Sequence, residues 1–106
     1  MRIAYDKLVR DRIPEVIRTS GRRCGTRVLE EEEYRTALRQ KLVEEAREAA
    51  RAGPEELAGE LVDILELIDA LLAAEGIDAA AVGELRARKR EERGGFEERI
   101  CLLWTE

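Results

Sequence analysis

The sequence has no histidine, and its 106 residues include only two cysteines, two prolines and 4% aromatic side chains. Without histidine, side-chain nucleophiles activated by His and Glu-x-x-His di-iron helical proteins are excluded. Cys24 and Cys101 lack Cys-x-x-Cys spacing. We therefore expect two reduced thiols in a cytoplasmic protein.

Long apolar runs are also lacking. No stretch approaches the roughly 20 residues of a membrane span, and the N-terminal "MRIAYDKLVRDR" has no signal-peptide centre. The net charge of -5, with both signs interspersed, argues against binding nucleic acid through bulk basic charge. We expect neither a membrane nor a nucleic-acid partner, and one small domain over residues 1–106. Because the core is mostly Ala and Leu, we expect burial to be completed by oligomerisation.

Helical signals dominate what is present, so the predicted fold class is mainly α. Two long antiparallel helices, two shorter helices and short strands near the chain ends make up the predicted architecture. The first helix follows Asp11, as its cap, and ends at "TSG" at 19–21. The others are predicted at 30–52, at 54–75 with Pro54 in its first position, and from the cap Asp78 to Arg93. Strands are predicted for "RIAY" at 2–5, "TRVL" at 26–29 and "ERICLLWTE" at 98–106.

The apolar stripes of both long helices contain carboxylates. At about 100° per residue, Glu60 lies inside the stripe of the third helix and Asp63 at its border. On the second helix, Glu45 lies near the centre of the stripe and Glu48 at its edge. This matched pattern predicts four carboxylates converging between the helices, which requires a counter-charge from arginines or from a metal. Oxygen-only ligands favour Mg2+, or Mn2+, over zinc and copper. The alternative is that these residues are edge charges paired with Arg47, Arg39 or Arg51 on solvated faces.

Cations accompany this pattern. Lys89 and Arg93 continue the inward face of the fourth helix, and "GG" at 94–95 follows, where backbone amides can approach an anion. Near the N-terminus, "KLVRDR" supplies Lys7, Arg10 and Arg12. Cations beside a Mg2+ site are typical of polyphosphate binding.

Four segments resemble a known family. "EEARE" at 44–48 and "ELVD" at 60–63 are similar to the Glu-Glu-x-x-Glu and Glu-x-x-Asp motifs of the all-α nucleoside triphosphate pyrophosphatases. That group comprises MazG-like proteins, phosphoribosyl-ATP pyrophosphohydrolases and dimeric dUTPases. "YDKLVRDRIPE" at 5–15 and "KREERGGFEERI" at 89–100 resemble the flanking motifs of a small, phosphoribosyl-ATP-pyrophosphohydrolase-like branch.

The resemblance implies a MazG-like helical bundle, assembled as a homodimer or homotetramer, that hydrolyses nucleoside triphosphates between the α and β phosphates in a Mg2+-dependent reaction. The products would be a monophosphate and pyrophosphate, in keeping with nucleotide-pool house-cleaning. The implied metal ligands are Glu45, Glu48, Glu60 and Asp63. The implied phosphate-binding residues are Lys89 and Arg93, with Lys7 and Arg10 as further candidates.

For the mechanism, the absence of a side-chain nucleophile favours attack by a metal-activated water, with Glu44 or Glu48 as general base. Two alternatives remain open at this point. One is phosphoribosyl-ATP pyrophosphohydrolase of histidine biosynthesis, and the other is a non-enzymatic helical module that binds nucleotides.

Overall fold

Four helices form the secondary structure of the chain in a computed structural model that describes residues 2–106. Their bounds are α1 Ile13–Thr19, α2 Glu31–Arg51, α3 Leu57–Ala74 and α4 Ala79–Arg93. This confirms the prediction of a mainly α protein with two long and two shorter helices. None of the four helices is long and apolar enough to cross a membrane. Cys24 and Cys101 are both free thiols.

Helices α2 and α3 pack against each other and make the main helix–helix contact of the chain. A short turn joins them, in which the Glu56 and Leu57 amides donate to the Gly53 carbonyl, each at 3.0 Å. Such a short connection places the two helices antiparallel. The most buried side chain, Leu38 of α2, is 2% exposed, and Leu67 of α3 is 8% exposed. The core is therefore a narrow seam between two helices.

The helix ends follow local chemistry closely. Asp78 accepts from the Ala80 amide at 3.1 Å, as predicted for the cap of α4. At the other end of α4, Gly94 has φ 79°, which a side chain would disfavour. Two predictions were wrong in detail. The N-cap of α1 is Arg12 and not Asp11, and α3 begins three residues after Pro54, because that proline lies in the turn.

The predicted strands are absent, and within residues 2–106 no strand forms at all. Residues 2–5, 26–29 and 98–106 are irregular. A strand must pair its backbone N–H and C=O groups with a neighbour, and these segments make no backbone hydrogen bonds to one another. Arg99, with φ 60°, also interrupts the extended course of the last segment. The strands were predicted from the apolar composition of these segments, and composition carries no information about whether a pairing partner is present.

Much apolar surface of α3 is uncovered. On a helical projection that starts at Leu57, the buried Leu67 lies at about 280°, on the side facing α2. Leu61, Leu65 and Ile68 lie between about 20° and 80°, and all three are exposed. The radius of gyration is 18.3 Å, whereas a compact chain of this length has roughly 13 Å. The apolar arc of α3 thus includes the buried Leu67 and the exposed Leu61, Leu65 and Ile68. The single chain covers only the Leu67 side of this arc.

Candidate metal centre

The centre of the site is Glu45, on the face of α2 that packs against α3. Its side chain is 9% exposed, and it is the only charged residue buried to this degree within residues 2–106. The helical period places Glu45 one full heptad after Leu38, so both residues point into the same seam. A carboxylate therefore occupies a position where the fold would otherwise place an apolar side chain.

Two carboxylates of α3 face Glu45. One oxygen from each of Glu45, Glu60 and Asp63 lies within 4.8 Å of the other two. We call these three side chains the carboxylate cluster. Glu60 and Asp63 are separated by three residues and so lie on one face of α3, one turn apart. The pairing of the two helices brings together three of the four carboxylates that the stripes predicted, and Glu48, the fourth, is not among them.

Hydrogen bonding leaves part of the cluster unsatisfied. Glu45 Oε2 and Glu60 Oε2 are both buried, and neither has a hydrogen-bond partner within residues 2–106. Buried carboxylate oxygens without donors are costly, because they lose water and gain nothing in return. Both atoms are therefore suited to a ligand that offers positive charge.

The pKa of Glu45 reflects this unfavourable burial. The pKa of Glu45 is raised from 4.5 to about 7. Burial is the largest cause, followed by Glu60, to which Glu45 can donate a hydrogen bond only when it is protonated, and then by the negative charges of Glu48, Asp63 and Glu60. Clustered acids of one sign cannot all remain ionised without a counter-charge. The raised pKa is the expected mark of a site that lacks enough positive charge.

One cation does reach the cluster. Arg10 Nη2 donates to Asp63 Oδ1 at 2.6 Å, across 53 positions of sequence. Of the arginines on α2 that could have neutralised the cluster, Arg39 pairs instead with Glu75, the residue that follows α3, at 3.2 Å. Neither Arg47 nor Arg51 forms an ion pair in the described part of the chain. The alternative in which arginines of α2 pair with these carboxylates is therefore not observed.

The other acidic candidates lie outside the cluster. Glu48 is exposed, and it acts on Glu45 through its charge. Glu44 is exposed and lines a cavity of about 70 Å3 between α2 and the N-terminal segment. Lys7 and Lys41 line the same cavity. Lys41 was not predicted as a site residue, although its position three residues before Glu44 places both side chains on one face of α2.

Lys89 and Arg93 are not brought to the cluster in the single chain. Both are exposed on α4, which contains no buried residue. Near the end of α4, Arg90 donates to Glu97 at 2.5 Å. A Cβ atom at Gly95 would overlap both side chains of that pair. The anion that approaches the "GG" segment is thus the chain's own Glu97 carboxylate.

The cluster fits a hard divalent cation by its donors and by its size. All three donors are carboxylate oxygens, the ligand type preferred by Mg2+ and Mn2+. Oxygens that share one Mg2+ lie roughly 3 to 4 Å apart, given bond lengths of about 2.1 Å. The observed separation, within 4.8 Å, closes to that range by small side-chain rotations. Glu45, Glu60 and Asp63 are therefore the residues suited to hold the ion.

Comparison with known proteins assigns no family to the chain. No family model matches the chain. No solved structure matches it either. An uncharacterized protein of Mycolicibacterium smegmatis is 50% identical to it over 52 residues, which are 49% of this chain and 53% of that protein. The chain thus spans about half the length of the curated relative it matches. The name of that relative assigns no activity, so the site is interpreted from its own geometry.

Proposed function

We propose that the protein is a Mg2+-dependent nucleoside triphosphate pyrophosphohydrolase that cleaves between the α and β phosphates and releases a monophosphate and pyrophosphate. The observation that carries the proposal is the buried Glu45, whose free oxygen faces two further carboxylates. The resemblance of residues 44–48 and 60–63 to the paired acidic motifs of MazG-like enzymes gives this geometry its chemical meaning. We include a MazG-like fold and a role in nucleotide-pool house-cleaning in the same proposal.

In this mechanism, Glu45, Glu60 and Asp63 would hold the divalent cation between α2 and α3. When bound, Mg2+ supplies positive charge that stabilises the phosphate oxygens and increases the acidity of an attacking water. Glu48, whose charge already acts on Glu45, is a fourth candidate ligand. Leu38 and Leu67 are the buried leucines of the seam, and they limit the access of water to Glu45, which strengthens the charge interactions of its carboxylate.

Proton transfer and phosphate binding fall to residues around the cluster. Glu44 and Glu48 are both exposed, so either carboxylate is free to accept a proton from water. Lys7 and Lys41 line the cavity beside Glu44, where they would neutralise a phosphate chain. Lys89 and Arg93 retain the role implied by the family resemblance only if α4 of a second subunit, or a movement of α4, brings them to the site.

We also propose that the protein is a homodimer or homotetramer. The exposed residues Leu61, Leu65 and Ile68 continue the apolar arc of α3 beyond the side that α2 covers. Contiguous apolar surface of this kind favours a protein–protein contact, and a second copy offers the same stripe. The proposed place of action is the cytoplasm, which the two free thiols favour.

The reaction is tested by measuring pyrophosphate release from a panel of canonical and damaged nucleoside triphosphates, with phosphoribosyl-ATP included, in Mg2+ and in EDTA. We expect Mg2+-dependent release in the wild type and its loss in Glu60→Gln. The matched control is Glu66→Gln, an exposed glutamate on the same helix, which should retain activity.

Three outcomes distinguish the alternatives. Turnover of phosphoribosyl-ATP alone would assign the protein to histidine biosynthesis. Binding of nucleotide and Mg2+ without turnover would make it a non-enzymatic module. A protein that binds no Mg2+ would contradict the proposed site itself.

A further inference from the structure

Arg10 contacts the carboxylate cluster from outside the two helices that form it. It comes from the irregular segment before α1, and its guanidinium donates to Asp63 Oδ1 at 2.6 Å. Half of the Arg10 side chain is exposed, and 41% of the Asp63 side chain. The ion pair therefore sits at the edge of the seam, where a change of partner does not require the helices to separate.

The guanidinium and a divalent cation require the same carboxylate. Asp63 contributes one of the three oxygens that lie within 4.8 Å of each other, and Arg10 is hydrogen-bonded to Asp63. A cation placed among those oxygens would repel the guanidinium and draw the Asp63 oxygen away from it. Arg10 and the cation are therefore competitors for Asp63.

Two lysines lie along the segment that carries Arg10. Lys7, three residues earlier, lines a cavity together with Lys41 of α2, and the carboxylates of Asp6 and Glu44 line it as well. The segment thus runs from that cavity to Asp63. The Arg10 carbonyl accepts from the Ile13 amide at 3.0 Å, so the backbone is held at the start of α1 while the side chain is free to turn.

We propose that Arg10 is an exchanging counter-ion, which pairs with Asp63 until a divalent cation takes that carboxylate and then binds a phosphate of the substrate. This inference rests on the proposed function, because it assumes a cation in the cluster and a polyphosphate beside it. It adds an order of events in which cation binding prepares the arginine for the phosphate. The guanidinium is suited to both partners, since its planar donors match carboxylate and phosphate oxygens alike.

The test compares two affinities in Arg10→Ala, both measured by calorimetry. Mn2+ alone should bind about 3-fold more tightly than in the wild type, because the competing charge is gone. Tripolyphosphate, added with saturating Mn2+, should bind roughly 10-fold more weakly, because a charged donor to phosphate is lost. Tripolyphosphate is chosen because it presents the phosphate chain without a base. Arg10→Gln should behave in the same way, and circular dichroism checks that each variant is folded.

The control is Arg12→Ala, which removes the same charge two residues away. Arg12 pairs with Glu15 at 3.2 Å and does not pair with the cluster. We expect that variant to leave both affinities near the wild-type values. Opposite changes in the two affinities, confined to Arg10, support the exchange, whereas a purely structural role would weaken both together.

Three results would overturn parts of the account in distinguishable ways. Weaker Mn2+ binding in Arg10→Ala would mean that Arg10 orients Asp63 for the cation, and unchanged Mn2+ binding would mean that the two do not compete. Either result rejects the exchange and leaves the proposed function standing. Failure of the wild type to bind Mn2+ would reject both.

Discussion

Replacing Glu45 by Gln should change the way in which stability depends on pH. In the folded chain the pKa of Glu45 is about 7, against its ordinary 4.5, chiefly because the side chain is buried. Between these values the folded protein keeps a proton that the unfolded chain has lost, so the free energy of unfolding falls as pH rises. Below pH 4.5 both states are protonated, and the penalty is absent.

The size of the effect follows from the two pKa values. Each tenfold difference in proton affinity corresponds to about 1.4 kcal/mol, so the full penalty at pH 8 is on the order of 3 kcal/mol. Gln has no charge to desolvate, and its amide can donate to the carboxylates that face position 45. In the absence of divalent cations, Glu45→Gln should therefore be more stable than the wild type at pH 8 by about that amount. At pH 4.5 the two proteins should have nearly equal stability.

Urea unfolding followed by circular dichroism at 222 nm, in EDTA and at fixed protein concentration, gives the required free energies. The measurement is made at pH 4.5, 6 and 8 for the wild type, Glu45→Gln and the exposed control Glu66→Gln. Addition of Mg2+ at pH 8 should then stabilise the wild type and have little effect on Glu45→Gln. A stability difference between wild type and Glu45→Gln that stays constant from pH 4.5 to 8 would refute the electrostatic reasoning.

Three further substitutions test other parts of the structure. Leu65→Lys, on the exposed side of the apolar arc, should shift the protein towards monomer in sedimentation velocity, whereas Val62→Lys, exposed but outside the arc, should not. Lys41→Gln should raise KM for the nucleotide roughly 10-fold with a smaller effect on kcat, and Arg47→Gln on the same helix should leave KM unchanged. Asp78→Ala removes the cap of α4 and should lower the free energy of unfolding by about 1 kcal/mol in urea titrations; an unchanged value would show that the cap does not stabilise the protein.

Periodicity predicted the central part of the structure well, because it depends on local geometry. The seam between α2 and α3 follows from their apolar stripes, and the same winding placed Glu45 among the leucines. Pro54 and Gly53 marked the connection, although the helix begins three residues later. In a helix, the periodic pattern of the sequence indicates directly which side chains lie on the same face.

Features that depend on distant neighbours were not predictable in this way. The prediction of strands was wrong because the apolar segments at 2–5 and 98–106 have no strand with which to pair. The ion pair between Arg10 and Asp63 joins an irregular segment to a helix, and no spacing rule relates those positions. The face of α4 that carries Lys89 and Arg93 was predicted to point inward, but in the single chain both residues are exposed and α4 buries none of its residues.

The proposed function requires that the carboxylate cluster hold a divalent cation. Titration of the protein with Mn2+, with the free ion measured by electron paramagnetic resonance, tests this without assuming a substrate. We expect saturable binding in the wild type and in Glu66→Gln, and loss of that binding in Glu60→Gln. Wild-type protein that binds no Mn2+, or a Glu60→Gln variant that binds it as well as the wild type, would contradict the assignment of Glu45, Glu60 and Asp63 as a metal centre.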